Sequence, residues 1–371
     1  MAGDIGAIFR RHGPAYDKRF GDRMLPSHLK TLQDLSDCRT GRLGGHLCQR
    51  PECDSHHYRY HSCKSRFCPK CQWKNTTAWI DKKRSFLLPV VYFHLVFTLP
   101  QQLRRIVRSH QKVMFAVFFE AAVASLKKLA MDPHYIGGHI GILAVLHTWT
   151  RSMLYHPHLH CIVPGGGIDP ESGDWRNARC KYLVPVKALS AIFRAKFIAL
   201  AQKRLPNVTF PQSVWDTDWV VYAKPAEQGA DKVLDYLGRY VHRVAITNAR
   251  ILESEDQAVR FRYVDRRKRR PRWKSISLPP EEFMRRFLQH VLPRGFHKVR
   301  SYGLLSPRHR EQLVRLQQKM GEPVEPEKSA KEKSPKPFSP PDFGTCPDCG
   351  KGILKPLYWV PPQKRAPPLW N

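Results

Sequence analysis

The chain has 371 residues, of which 42% are hydrophobic, so it is long enough for two or three domains with substantial cores. Its 63 lysines and arginines against 31 acidic residues give a formal net charge of +32, which favours a polyanionic partner, above all nucleic acid. The sequence has no apolar run of about 18 residues, so no membrane span is expected, and it has no apolar signal-peptide segment. We therefore expect a cytoplasmic protein without a membrane partner.

Six of the ten cysteines lie close together near the N-terminus, in a segment too polar to bury them as free thiols. In a long intracellular chain, such spacing is typical of metal ligands rather than disulfides. Cys68 and Cys71 form a Cys-x-x-Cys unit, and we expect them to share one structural Zn²⁺ with the pair Cys48 and Cys53. The residues that remain available for a second zinc are Cys38, His46, Cys63 and one of His56, His57 and His61.

The rest of the chain mixes strands and helices without strict alternation, which predicts an α+β fold. A helical lead-in is expected over residues 1–37 and a basic helix over 76–89. The later predicted elements are strands at 90–100, 139–150, 156–164, 218–225 and 258–265, and helices at 101–132, 187–205, 232–244 and 279–292.

The predicted strand at 156–164 carries histidines at alternate positions. Alternate side chains share one face of a strand, so His158 and His160 converge, with His156 further along the same edge. His147, on the preceding predicted strand, is the best-placed third ligand for a divalent cation. The alternative is a polar strand edge that binds nothing. The triple glycine that follows, Gly165 to Gly167, predicts a tight turn.

Tyr236 and Tyr240 are spaced four residues apart in a predicted helix and therefore share one face of it. Arg239 and Arg243 accompany them and would favour the phenolate, which is otherwise scarce because tyrosine has a pKa of about 10. The alternative is a pair of core tyrosines.

A basic run between 264 and 274 is expected to contact a DNA backbone, with a solvated loop as the alternative. Trp273 and Tyr263 beside it could stack on bases of a single strand. The basic residues of this run assigned to DNA are Arg266, Arg267, Lys268, Arg269 and Arg270.

Residues 321–345 are rich in Pro, Lys and Glu and predict a linker. Beyond it, Cys346 and Cys349 form a second Cys-x-x-Cys unit without a partner pair before the last residue, so it is either a degenerate metal site or one completed by another chain. The sequence has no phosphate-binding loop of the Gly-x-x-x-x-Gly-Lys-Ser/Thr type, so no ATPase motor is expected within the chain.

Eight segments within residues 35–310 together resemble the two-tyrosine HUH-class transposases of rolling-circle insertion sequences, the IS91-like group. They are, in order, GRLGGH, SCKSRFCPKCQ, FHLVFTLP, VLHTWT, HPHLHCIVPGGG, YLGRYVHRVAI, FRYVD and FLQHVLPRGFHKVRSYGLL. The resemblance implies an N-terminal zinc-binding module followed by an HUH endonuclease domain with a central antiparallel sheet flanked by helices.

The resemblance also implies a mechanism. His158 and His160 would bind Mg²⁺ or Mn²⁺, and Tyr236 or Tyr240 would attack single-stranded DNA at a transposon end, forming a 5′-phosphotyrosine and a free 3′ hydroxyl. The second tyrosine would complete transfer to target DNA, and host replication proteins or a helicase would assist. The implied ranges are 1–75 for the zinc module, 76–320 for the nuclease domain, 321–345 for the linker and 346–371 for the tail.

The chain departs from the family pattern at two places. Phe67 replaces the histidine that commonly precedes the Cys-Pro-x-Cys unit, which removes a candidate ligand for a second zinc. Thr150 and Arg151 replace the Gly-Gln that often follows HTW. Two other functions remain open from the sequence: a replication initiator with the same chemistry, and a zinc-dependent DNA-binding protein without catalysis.

Overall fold

The computed structural model describes residues 3–50, 53, 55–72, 86–178, 182–225, 238, 244–265, 270–321, 343–351 and 353–363. Its helices are α1 Ile5–Phe20, α2 Pro26–Asp37, α3 Arg104–Ser109, α4 Gln111–Ala130, α5 Val186–Arg204, α6 Ser213–Asp216, α7 Pro280–Leu288 and α8 Arg310–Lys319. Its strands are β1 Gly45–Arg50, β2 Ser55–Tyr60, β3 Tyr92–Thr98, β4 Gly141–Trp149, β5 Tyr155–Pro164, β6 Gly166–Ile168, β7 Trp175–Asn177, β8 Val221–Pro225, β9 Ile251–Ser254, β10 Val259–Asp265, β11 Arg272–Leu278, β12 Val299–Gly303 and β13 Lys355–Val360.

The chain divides into two compact units, and both are discontinuous in sequence. The first comprises the described parts of Met1–Gln72, Thr247–Leu288 and Pro326–Asn371, and the second comprises those of Trp73–Ile246 and Gln289–Glu325. The ranges expected from the sequence were contiguous, whereas here the segment around β9–β11 and α7 joins the N-terminal unit. Within this unit α1 packs on α7, where Phe9 lies edge-on against Phe287 with ring centroids 5.2 Å apart.

In its described residues, the N-terminal unit contains helices α1, α2 and α7 and two small antiparallel sheets. The carboxylate of Asp4 caps α1 by accepting a hydrogen bond from the Gly6 N–H at 3.0 Å, and Pro26 begins α2. The strand orders of the two sheets are β13-β1-β2 and β11-β10-β9. The C-terminal segment, expected as a separate tail, therefore supplies an edge strand to the N-terminal hairpin.

The second unit is built on a five-stranded antiparallel sheet of order β12-β4-β5-β3-β8. Its strands are rich in β-branched and aromatic residues, which favour a buried pleated surface. One face packs on helices α4 and α5, where the ring of Phe193 lies 5.0 Å from Phe97 and 5.7 Å from Phe118. This arrangement confirms the predicted α+β fold with a central antiparallel sheet flanked by helices.

The strands predicted around 90–100, 139–150 and 156–164 are confirmed as β3, β4 and β5, the three central strands of the sheet. The helix predicted over 232–244, which carries the tyrosine pair, lies outside the described residues apart from Gly238 and Val244. No helix in the described part of the chain is long and apolar enough to cross a membrane.

Candidate metal centre

Three histidines converge on the sheet face opposite helices α4 and α5. The β4–β5 register sets His147 directly opposite His158, and directly opposed residues share a face. His160 lies two residues further along β5, with its ring centroid 4.7 Å from that of His147. One candidate ligand nitrogen from each of the three rings lies within 4.8 Å of the others. The structure thus brings together the three histidines that the sequence pattern singled out.

Hydrogen bonds at Nδ1 orient two of these rings. The Nδ1 atom of His158 lies 2.7 Å from the main-chain carbonyl of His156. Because a carbonyl only accepts, Nδ1 of His158 carries the proton and its Nε2 keeps a lone pair for ligation. The Nδ1 atom of His160 lies 2.9 Å from Nε2 of His94, a contact that fits a His160 ring with its proton on Nδ1.

Burial favours the neutral form of two of these rings. It lowers the pKa of His158 to about 4, and burial, followed by the charge of Lys224, lowers that of His94 to about 4. Neutral imidazole is the form that can give a lone pair to a metal ion, and His158 is in that form at neutral pH.

His156 takes a different role from the three converging histidines. The guanidinium of Arg104 donates to its Nδ1 at 3.1 Å. Burial, followed by the charge of Arg104, lowers the pKa of His156. This residue is therefore held by an arginine rather than grouped with the candidate ligands.

His94 is the site residue to which the sequence analysis assigned no role. The β3–β5 register pairs Thr98 with His158 and Val96 with His160, so His94 follows on the same face. It is buried, with 4% of its surface exposed. Alternation along FHLVFTLP places His94, Val96 and Thr98 on one face, but only the strand register shows that this face is the one with the histidines.

The tight turn predicted for the triple glycine is wrong. Gly165 follows β5, and the next two glycines begin β6, which pairs with β7. A Cβ atom on Gly166 would lie 2.3 Å from the main-chain oxygen of Arg176, so the absence of a side chain permits close approach of strands.

Four cysteines form a compact cluster in the N-terminal unit. The Sγ atom of Cys38 lies 3.6 Å from those of Cys68 and Cys71, and the Sγ atoms of Cys63 and Cys71 are also 3.6 Å apart. Tetrahedral zinc with Zn–S bonds of about 2.3 Å requires sulfur separations of about 3.8 Å. Hydrogen bonds from the thiols of Cys63 and Cys68 lower the pKa of Cys38 to about 7, which favours the thiolate that zinc binds.

The predicted grouping of the cysteines is corrected by this geometry. Cys68 and Cys71 join Cys38 and Cys63, not Cys48 and Cys53. The reason is the β1–β2 hairpin, which the sequence analysis did not predict. Cys38 and Cys63 flank the open end of that hairpin, whereas Cys53 lies at its turn.

The remaining predicted zinc ligands lie elsewhere in the N-terminal unit. Cys53 lies beside Cys346 and Cys349. The ring of His46 packs against His61 and Phe343, with centroids 5.4 and 5.0 Å away.

Of the residues predicted to contact DNA, Arg270 is described and exposed. Nearby on β10 and β11, the guanidinium carbon of Arg262 lies 4.9 Å from the ring centroid of Trp273, whose surface is 62% exposed. The other candidates lie outside the described residues: Arg239, Arg243, Arg266, Arg267, Lys268 and Arg269, together with Tyr236 and Tyr240.

Comparison with known proteins matches both parts of the chain to family models. Residues 8–99 match the model described as "Transposase zinc-binding domain", and residues 141–312 match the model described as "Putative transposase". The first match contains the four-cysteine cluster and His94, and the second contains the other three histidines. No solved structure matches the chain.

Two curated relatives match over most of their length. The chain is 38% identical to "Putative transposase y4qJ" of Sinorhizobium fredii over 329 residues, which are 84% of this chain and 82% of the relative. It is 27% identical to "Transposase for insertion sequence element IS801" of Pseudomonas savastanoi pv. phaseolicola over 299 residues, 76% of this chain and 70% of the relative.

A zinc-binding domain joined to a transposase domain defines the class as an insertion-sequence transposase. Within that class, the chain belongs to the IS91-like family. The family resemblance expected from the sequence is confirmed, and the comparisons favour a transposase over a replication initiator.

Proposed function

We propose that this transposase cleaves and rejoins single-stranded DNA at transposon ends through a 5′-phosphotyrosine, using a divalent cation at His147, His158 and His160. The observation that carries the proposal is the convergence of three imidazoles, within 4.8 Å of one another, on one face of the sheet. Hydrogen bonds at Nδ1 of His158 and His160 fit rings that would bind a cation through Nε2.

The donor set fits Mn²⁺ better than Mg²⁺. Mg²⁺ prefers oxygen ligands in a near-ideal octahedron, whereas imidazole nitrogens suit transition metals. When bound, the cation would supply Lewis-acid polarisation of the scissile phosphate. The protein's contribution is to hold neutral imidazoles in one orientation, which burial and the His94 and His156 contacts provide.

Tyr236 and Tyr240 are the proposed nucleophiles. In the proposed step the phenolate oxygen of one tyrosine bonds to phosphorus, the bond to the 3′ oxygen breaks, and that oxygen takes a proton to become a 3′ hydroxyl. The second tyrosine then serves strand transfer to target DNA. Their spacing of four residues and the family's two-tyrosine pattern support this assignment.

The chain's charge supports DNA as the substrate, because a net charge of +32 attracts a phosphate backbone over long distances. We assign single-strand contact to the outer face of the β9–β11 sheet, where Trp273 is exposed beside Arg262. Arg266, Arg267, Lys268, Arg269 and Arg270 would extend this surface, and Arg239 and Arg243 would contact DNA near the tyrosines. Strand separation is assigned to a host helicase or replication machinery.

The test is a denaturing gel of purified protein with Mn²⁺ and labelled single-stranded DNA from the ends of the element that encodes this chain. We expect a covalent band that the Tyr236→Phe/Tyr240→Phe double variant loses. Tyr182→Phe, the same change at a half-exposed tyrosine outside the proposed tyrosine pair, serves as the matched control. DNA binding without any covalent band in the wild type would contradict the proposal and favour a non-catalytic DNA-binding protein.

A further inference from the structure

The C-terminal Cys-x-x-Cys unit lies against the turn end of the N-terminal hairpin. Strand β13 pairs antiparallel with β1, in a register that sets Gly45 opposite Val360 and Gln49 opposite Lys355. The guanidinium of Arg59 on β2 also donates to the main-chain oxygen of Thr345 at 3.1 Å. The segment that precedes β13 is thereby held beside Cys53.

Three sulfur atoms meet there at distances that suit a metal ion. The Sγ atom of Cys53 lies 3.8 Å from that of Cys346 and 3.8 Å from that of Cys349. These separations equal the edge of about 3.8 Å that a tetrahedral zinc with Zn–S bonds of about 2.3 Å requires. They are far longer than the roughly 2.05 Å of a disulfide bond.

We propose that Cys53, Cys346 and Cys349, with His57 as the fourth ligand, form a second structural zinc site within one chain. The site is independent of the nuclease function proposed above. It needs none of the ligands of the four-cysteine cluster, because Cys38, Cys63, Cys68 and Cys71 form a separate group of four candidate ligands at the other end of the hairpin.

His57 is assigned as the fourth ligand on geometry. Its Nε2 atom lies 3.7 Å from Sγ of Cys346, close to the nitrogen–sulfur edge of about 3.5 Å expected in a tetrahedral zinc site. Its Nε2 also lies 3.2 Å from a carboxylate oxygen of Asp348, a contact that zinc binding at Nε2 would replace.

Cys48 is the competing candidate, since it is directly opposite His57 in the β1–β2 register. Its side chain is fully buried in a small apolar cluster with Cys346 and Leu354. Its Sγ is directed toward the main-chain oxygen of His46 at 4.0 Å. Among the described residues, Sγ of Cys48 belongs to no group of candidate ligand atoms within 4.8 Å of one another, whereas His57 shares such a group with Cys346. We therefore assign Cys48 to packing.

A metal explains how this part of the fold is held together. Among the described residues, the buried cluster between β1 and the C-terminal segment consists of Cys48, Cys346 and Leu354, with Phe343 and Cys349 packed against it. A core this small gives little hydrophobic stabilisation, and small modules commonly depend on a metal for it. The proposed zinc ties two segments that are 293 residues apart in sequence, Cys53 and Cys346.

The test is the zinc content of the full-length protein, measured by mass spectrometry of the metal per chain. We expect two zinc ions in the wild type, one in Cys346→Ser/Cys349→Ser, and two in the control Cys48→Ser. One zinc in the wild type, or two in the Cys346→Ser/Cys349→Ser variant, would overturn the proposal. Loss of the second zinc from Cys48→Ser but not from His57→Ala would overturn the assignment of the fourth ligand.

A second measurement uses the wild type and so does not depend on how a variant folds. Bound zinc should protect Cys53, Cys346 and Cys349 from alkylation by iodoacetamide, and a chelator should expose all three together. Alkylation of these three thiols at the same rate with and without the chelator would contradict the site. A Cys346–Cys349 disulfide, seen as a mass lower by about 2 Da, would replace it with a redox pair.

Discussion

His94 offers a sharp test of how the histidine site is built. Its Nε2 atom lies 2.9 Å from Nδ1 of His160 and fixes the tautomer that presents Nε2 of His160 to a cation. Replacing His94 by alanine removes this acceptor and frees the His160 ring to rotate. His94→Gln keeps an acceptor oxygen of similar reach and should restore part of the effect.

The expected magnitude follows from the kind of contact that is lost. Partners that orient a metal-binding histidine are typically worth 10–100-fold in metal affinity, which is about 1.4–2.7 kcal/mol. We expect His94→Ala to weaken Mn²⁺ binding by that factor and His94→Gln by less. Because His94 is buried, the alanine variant will also lose folding stability, so binding is compared at a temperature at which both variants are folded.

The assay is a Mn²⁺ titration followed by electron paramagnetic resonance of the free ion. His134→Ala is the matched control, because His134 is a histidine of the same unit whose side chain is 89% exposed and paired with Asp132 on the surface. It should bind Mn²⁺ as the wild type does. If folded His94→Ala binds Mn²⁺ as tightly as the wild type, His94 does not orient His160 and the reasoning is refuted.

Four further predictions concern protonation, DNA contact, zinc and salt. Because the pKa of His158 and of His94 is about 4 rather than about 6.5, neither ring should titrate between pH 5.5 and 8 in nuclear magnetic resonance of the metal-free protein. Between about pH 6.5 and 4 the unfolded chain then binds more protons than the folded one. The free energy of unfolding should therefore fall as the pH drops through that range, and a rise would contradict the assignment. Trp273→Ala should weaken single-stranded DNA binding about 5- to 150-fold, because stacking of a base on an aromatic ring is worth about 1–3 kcal/mol. The control Trp215→Ala should leave the affinity unchanged, and fluorescence anisotropy measures both. Cys68→Ala should lose one zinc and lower the melting temperature, whereas Cys161→Ala should keep all zinc, as metal analysis would show. DNA affinity should fall steeply between 50 and 200 mM salt, and a flat salt dependence would exclude backbone contacts as its main source.

The histidine site shows what periodicity can and cannot predict. Alternation along β5 was sufficient to place His158 and His160 on one face, and spacing alone pointed to His147 on the neighbouring strand. His94 needed the pairing of β3 with β5, because nothing local to FHLVFTLP says which strand it will face.

The cysteines show that spacing along the sequence can also group the wrong ligands. Sequence spacing suggested that neighbouring Cys pairs share a zinc, but the β1–β2 hairpin carries Cys53 away from Cys63 and Cys68. The partner of Cys346 was equally hidden, since pairing of β13 with β1 joins opposite ends of the chain. Long-range strand pairing of this kind leaves no periodic signal in the sequence. For that reason the sequence did not show which residues could complete a metal site with Cys346 and Cys349.

The most direct test of the central claim is metal-dependent cleavage of a labelled single-stranded transposon end by the wild type and by His158→Ala/His160→Ala. We predict cleavage by the wild type with Mn²⁺, none with a chelator, and none by the double variant even though it still binds the DNA. Cleavage by the folded double variant, or by the wild type in the chelator, would contradict the account of the histidine site.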